Sequence, residues 1–239
     1  MNISKIESIN EAFIIESTDL NSIDKLLNEL PGNSSFSIET SDGFKRDFES
    51  IEGVLSHENS SKNSIQKITI NKYSNDPYLQ LNISFKINNS HGISYFFSAD
   101  DENLIPKFQR VIDLIEGTEA WYSKWTKRNF ILDLILGIGL LFILLSILPA
   151  SGIIQTSNVE ASTQNKAIVN LVIIGIIAAT FLIGLLLNKI RTKIFPAGVF
   201  AIGQGIRRHR DIVSSRKFVL WGFGLFFSAA IGYLFFIFS

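Results

Sequence analysis

Between Tyr78 and Phe97 apolar and polar residues alternate with little interruption. Leu79, Leu81, Ile83, Phe85 and Ile87 interleave with Gln80, Asn82, Ser84, Lys86 and Asn88. A period of two predicts a strand with one buried and one wetted face. Asn88-Asn89-Ser90-His91-Gly92 then predicts a turn, and Ile93, Tyr95 and Phe97 resume the alternation to complete a hairpin. Ile65–Tyr73 predicts a third antiparallel strand, with Asp76-Pro77 leading into the next one. Upstream, Phe13-Ile14-Ile15 predicts a short strand. Asp19 is placed to cap a helix carrying Leu20, Ile23, Leu26, Leu27 and Leu30, which Pro31-Gly32 stops. Phe36 and Ile38 predict a strand ending at an Asp42-Gly43 turn, and Phe48, Ile51 and Leu55 fit one face of a short helix. Downstream, Asp100 and Asp101 suit the N-terminus of a helix striped with Leu104, Ile105, Phe108, Val111, Ile112 and Ile115. Residues 1–117 therefore predict an acidic, soluble α+β domain, an antiparallel sheet with helices on one face.

Beyond residue 117 the pattern changes. Trp121, Tyr122 and Trp125, interleaved with Lys124, Lys127 and Arg128, predict an interfacial aromatic and basic junction over 118–129. Three apolar runs follow, at about 130–148, 167–187 and 218–238, each long enough to span a bilayer. The expectation for 130–239 is an all-α membrane domain of three transmembrane helices. Asp133 is the one acid inside the first run. It reads as an interfacial carboxylate paired with a nearby arginine, or alternatively as part of an ion path. Gly224, Ser228 and Gly232, four apart, predict a close-packed helix face that could join copies of the chain in a homo-oligomer.

Charge sharpens this division. Residues 1–120 carry 19 Asp/Glu against 10 Lys/Arg, and residues 121–239 carry 3 against 12. The acidic half disfavours nucleic acid as a partner. Eight of the cations lie in the loop 188–217, which predicts a cytoplasmic loop, an N-terminus inside, a C-terminus outside and a multi-pass inner-membrane location. No signal peptide is read at the N-terminus. The abundance of Asn, Ile, Lys and Ser suggests a bacterial source.

The basic loop also holds the candidate site. Phe195, Val199, Ile202 and Ile206 recur at helical spacing, followed by Arg207, Arg208 and Arg210. That pattern predicts a segment lying on anionic lipid. Gly203-Gln204-Gly205 with those arginines is alternatively an anion nest for a phosphorylated ligand. A third possibility is that the loop rests on the acidic domain. Cysteine is absent, which excludes disulfides, thiolate nucleophiles and Cys-ligated metals. His57, His91 and His209 form no metal-binding spacing. His91 and Asp100-Asp101-Glu102 are explained by a turn and a helix start. No cofactor motif is present.

The function expected on these grounds is a non-enzymatic integral membrane protein. Its cytosolic domain would sense or bind a cytosolic protein or small molecule, and its basic loop would engage lipid or the acidic domain. The alternative is a small pore-forming or membrane-perturbing effector of the bacterial defence or toxin type, gated by the cytosolic domain.

Overall fold

A computed structural model describes residues 3–87, 92–126 and 188–238, together with 175, 178, 181–182 and 184–186. Within helix 205–238 side chains are described through 222 and at 224, 225 and 228. The chain divides into two units, Met1–Thr126 with Ile194–Ser239, and Lys127–Lys193. In the second unit the described positions are helical.

The first unit opens with strand β1 (Ile3–Ile9), then β2 (Phe13–Glu16) and helix α1 (Ser17–Leu27). The hairpin β3 (Asn33–Thr40) and β4 (Lys45–Phe48) leads to the short helix α2 (Ile51–Leu55). Three long strands follow, β5 (Ile65–Asn75), β6 (Tyr78–Lys86) and β7 (Ile93–Ala99), and then helices α3 (Leu104–Glu116) and α4 (Ser123–Thr126). After the second unit the chain returns as β8 (Gly198–Ala201) and the long helix α5 (Gly205–Phe238). Six strands form one antiparallel sheet in the order β1-β7-β6-β5-β3-β4, and β2 and β8 form a separate parallel pair.

The alternation read from the sequence sets the register. Phe36, Ile70, Ile83 and Tyr95 lie in one cross-strand row, and Ile38, Ile68, Phe85 and Ile93 in another, all buried. Helices α1 and α3 belong to the same core. Leu20, Ile23 and Leu27 on α1 and Phe108, Val111, Ile112 and Ile115 on α3 are buried, and Phe108 stacks on Phe97 with ring centroids 4.1 Å apart.

Several local expectations are corrected. The cap of α1 is Glu16, and Asp19 instead sits at the third helical position and accepts from the Glu16 amide at 2.8 Å. Phe48 ends β4 rather than joining the helix, and its ring packs so closely on Gly53 that a Cβ there would lie 2.6 Å from it. The cap of α3 is Asn103, whose amide is held by Asp101 at 2.9 Å, and Ile105 of the expected stripe is exposed. The turn at 88–91, with His91, lies outside the described residues. Segment 198–201 is a strand, not part of a helix.

The larger correction concerns the second half of the chain. Among the described residues no helix is long and apolar enough to cross a membrane. The expected all-α membrane domain of three transmembrane helices is overturned on this finding, together with the multi-pass inner-membrane placement and the orientation built on it. The run 130–148, with Asp133, and most of 167–187 lie outside the described residues. The run 218–238 belongs to α5, whose first half carries Arg207, Arg208, Arg210, Asp211, Arg216 and Lys217. Hydropathy along the chain counts apolar positions but does not register that this helix starts at the buried Gly205, packed against Phe200 and Asn59.

Candidate functional site

The basic segment is sewn into the acidic domain through its backbone. β8 pairs in parallel with β2, matching Phe13 to Gly198 and Ile15 to Phe200. Residues Val199, Phe200, Ala201 and Ile202 are all buried, and Phe200 and Ile202 belong to the main core. The Phe200 ring meets Phe13 at 5.3 Å, and Phe13 in turn meets Phe85 of the sheet at 5.9 Å. Apolar side chains of the segment thus add to the backbone pairing.

Asn59 ties the seam. It is buried, at 1% exposure, and its backbone is left-handed with φ 47°. Its Nδ2 donates to the carbonyls of Phe200 (2.9 Å) and Ile202 (3.1 Å), and its Oδ1 accepts from the Ile65 amide (2.9 Å) and Arg208 Nη2 (2.7 Å). Sequence reasoning missed Asn59. Its only local signal is a position in the Ser/Asn-rich run 56–64, a loop composition that does not single it out.

Gly203 and Gly205 are close-approach positions. Gly203 has φ 52°, and a Cβ there would lie 2.6 Å from the Glu58 carbonyl oxygen. A Cβ on Gly205 would lie 2.2 Å from the Phe200 carbonyl oxygen and 2.4 Å from Asn59 Nδ2. Two of the amides expected to form an anion nest are engaged, Gln204 donating to Glu58 and Gly205 to Ile202, and in the following turn Ile206 donates to Gly203 and Arg207 and Arg208 to Gln204.

The three arginines are separated by this geometry. Arg207 and Arg210 are exposed. Arg208 is half-buried, and its Nη1 is buried with no hydrogen-bond partner among the described residues. Burial holds its guanidinium below the ordinary value. Arg208 lines a cavity of about 160 Å³ in the seam, whose walls include Ile65 and Ile87 on one side and Pro196, Val199, Phe200 and Ile212 on the other.

The aromatic junction is partly internal. Tyr122 is fully buried and Trp121 is exposed. The buried Arg216 guanidinium lies 4.1 Å from the Tyr122 ring centroid, 5.6 Å from Phe195 and 5.9 Å from Trp121, and its Nε donates to the Ile194 carbonyl at 2.9 Å. Cation–π contacts of this kind are worth more when desolvated. Burial pushes the Tyr122 phenol up against the opposing Arg216 charge. Burial, and then Arg216, holds His209 below the ordinary imidazole value, with Glu16 pulling the other way. Trp125 lies in α4. Gly224 and Ser228 are exposed on α5, where the Ser228 hydroxyl donates back to the Gly224 carbonyl at 2.9 Å, and Gly232 lies on the same helix.

A second, larger groove of about 860 Å³ runs past Asp24, Asn28, Ser34, Asp47, Glu52 and Lys72. Lys72 faces the core side of the sheet and is buried, and its ammonium donates to the Gly32 carbonyl (3.0 Å) and Ser34 Oγ (3.3 Å). Burial lowers its pKa and raises that of Asp24. Among the described residues no group of three or more His, Asp or Glu side chains is placed to hold a metal ion.

No protein-family model, curated protein or solved structure matches the chain. What fold and site define is a class: an α+β protein with a six-stranded antiparallel sheet, its core completed by a segment that returns from the far end of the chain.

Proposed function

We propose that this chain is a non-enzymatic binding protein whose ligand site is the seam between the acidic domain and the basic segment 194–217. One observation carries the reading. The 160 Å³ cavity has walls from both sides of the seam, with the half-buried Arg208 as the charged residue among otherwise mostly apolar ones. A ligand there would touch residues 64–66 and 87 as well as residues 196–212. Its binding energy would add directly to seam closure, so occupancy would be sensed as stability. At a ligand concentration of 100 Kd that linkage amounts to about 2.7 kcal/mol, or a rise of roughly 5–10 °C in Tm for a chain of this size.

The test is thermal unfolding of the full chain against a panel of small monoanions, monocations and neutral polar compounds at millimolar concentration. One chemical class is expected to raise Tm in the parent and not in Ile212→Phe, which fills the cavity from α5. No shift with any compound, or equal shifts in the filled variant, would remove the reading.

A further inference from the structure

We infer that two copies of this chain form a two-fold dimer by pairing β1 antiparallel with β1, which joins their six-stranded sheets into one. β1 ends the sheet order, and among the described residues its strand partner is β7 alone. Its other edge carries backbone N–H and C=O groups that point away from the sheet, a template for one more strand. Residues 4–8 are exposed, and Ile6, an apolar side chain in the middle of the strand, is 77% exposed.

The sequence of β1 selects the occupant. Ile3-Ser4-Lys5-Ile6-Glu7-Ser8-Ile9 reads the same in both directions except at positions 5 and 7, which carry opposite charges. In an antiparallel pair centred on Ile6, Ile3 of one copy meets Ile9 of the other, Ser4 meets Ser8, Lys5 meets Glu7, and Ile6 meets Ile6. Every unlike pairing then occurs twice, as a self-complementary interface about a two-fold axis requires. Opposed residues in such a ladder lie about 4.5–5.5 Å apart, where opposite charges attract and like charges repel. A lysine on an edge strand ordinarily deters a further strand, but here each lysine is met by a carboxylate. Lys5 and Glu7 already pair within one chain at 3.0 Å, and Glu7 also accepts from the Tyr95 hydroxyl, so both charges are set on one face of the edge. On the opposite face Ile6 lies beside Phe96 of β7. Pairing brings the two Ile6 side chains together and makes a row of four apolar residues across the joined sheet. The other end of the sheet, β4, is a four-residue strand, Lys45–Phe48, with no such symmetry. One seven-residue strand per copy is a small interface, so the dimer is reversible rather than obligate.

Two measurements on the full chain test this. The sequence has no cysteine, so a single introduced cysteine reports the register without interference. Under mild oxidation Ile6→Cys should form a covalent dimer at least about tenfold faster than Ser4→Cys or Ser8→Cys, because position 6 alone faces itself at a separation a disulfide can bridge. A mixture of Ser4→Cys and Ser8→Cys chains should cross-link faster than either alone. Sedimentation between about 1 and 200 µM should show a monomer–dimer equilibrium in the parent. Lys5→Glu and Glu7→Lys, which each oppose like charges twice across the axis, should weaken it about tenfold or more. Mixing those two variants, or combining them in one chain, should restore dimerisation, a rescue that misfolding could not give. A parent that stays monomeric to about 200 µM, a dimer indifferent to the charge changes, or a mixture that fails to restore it overturns the pairing. Equal cross-linking at positions 4, 6 and 8 does so as well, and decides the matter if a charge variant does not fold.

Discussion

Asn59 adopts φ 47° in a buried position because its short amide side chain satisfies four backbone and side-chain groups from that one conformation. Asparagine tolerates the left-handed region better than other non-glycine residues. Asn59→Ala removes four hydrogen bonds worth about 0.5–1.5 kcal/mol each and leaves buried groups unpaired. A loss of about 3 kcal/mol is expected, read as a lower urea midpoint at unchanged slope. Asn59→Gly should lose roughly 1 kcal/mol less, because it relieves the backbone. Equal losses would mean the positive φ is not held by the side chain. Gly205→Ala must push a Cβ against the Phe200 carbonyl and should cost about 1–3 kcal/mol. A loss under about 0.5 kcal/mol would contradict the close approach. His209 titrates lower in the folded chain than its ordinary 6.5. The folded state therefore resists protonation, and the stability His209 contributes is present above about pH 6.5 and lost as pH falls below it. Unfolding free energy should fall more steeply from about pH 7.5 to 5.5 in the parent than in His209→Gln. Parallel slopes would show that burial of the ring is not what couples stability to pH.

At the scale of elements, the long alternations of β5, β6 and β7 were legible because each strand buries one face on a single core. β1 was not, since Ile3, Ile6 and Ile9 are spaced by three and the strand is mostly exposed. Pairing with the edge of β7, from Ile3 with Ala99 to Ile9 with Ile93, makes it a strand. The spacing of Phe195, Val199, Ile202 and Ile206 predicts a helix where β8 forms. Its partner β2 lies at the other end of the chain, and local periodicity carries no trace of it. Four residues do not sustain a strand on backbone bonds alone, so burial of Phe200 must hold β8 down. Phe200→Ala should cost about 3–5 kcal/mol and open 198–210 to trypsin at Arg207, Arg208 and Arg210. An unchanged cleavage rate would show that the segment is held by something other than that ring.

For the whole molecule, the charge division suggested an acidic domain attracting a basic loop, and the structure replaces attraction with apolar burial. Arg207 and Arg210 stay exposed while Phe200 and Ile202 enter the core. Protection of the β8 amides from hydrogen exchange should therefore be nearly unchanged between low salt and about 1 M salt, where the screening length falls to ~3 Å. Release at high salt would restore the electrostatic reading. The same argument makes residues 1–126 an incomplete folding unit. Without Phe200 and Ile202, each worth about 1.5–3 kcal/mol of burial, that fragment should unfold at a much lower temperature than the full chain, followed by circular dichroism. An equal midpoint would show that the returning segment is an accessory rather than part of the core.

Local patterning by itself determined the acidic α+β domain, the central antiparallel strands and the two amphipathic helices, because in those elements the residues that share a face are close in sequence. It also drew attention to Phe195–Arg210. What that segment does was decided by tertiary structure alone. Its glycines serve close approach to Glu58 and Phe200, its Phe200 and Ile202 complete the core, and Arg208 bonds Asn59 while Arg207 and Arg210 stay exposed. The reading of the second half as three membrane spans is overturned because, among the described residues, no helix is long and apolar enough to cross a membrane. Hydropathy sums what each residue prefers, whereas a segment's place is set by the partners it meets, and for β8 that partner, β2, lies at the other end of the chain.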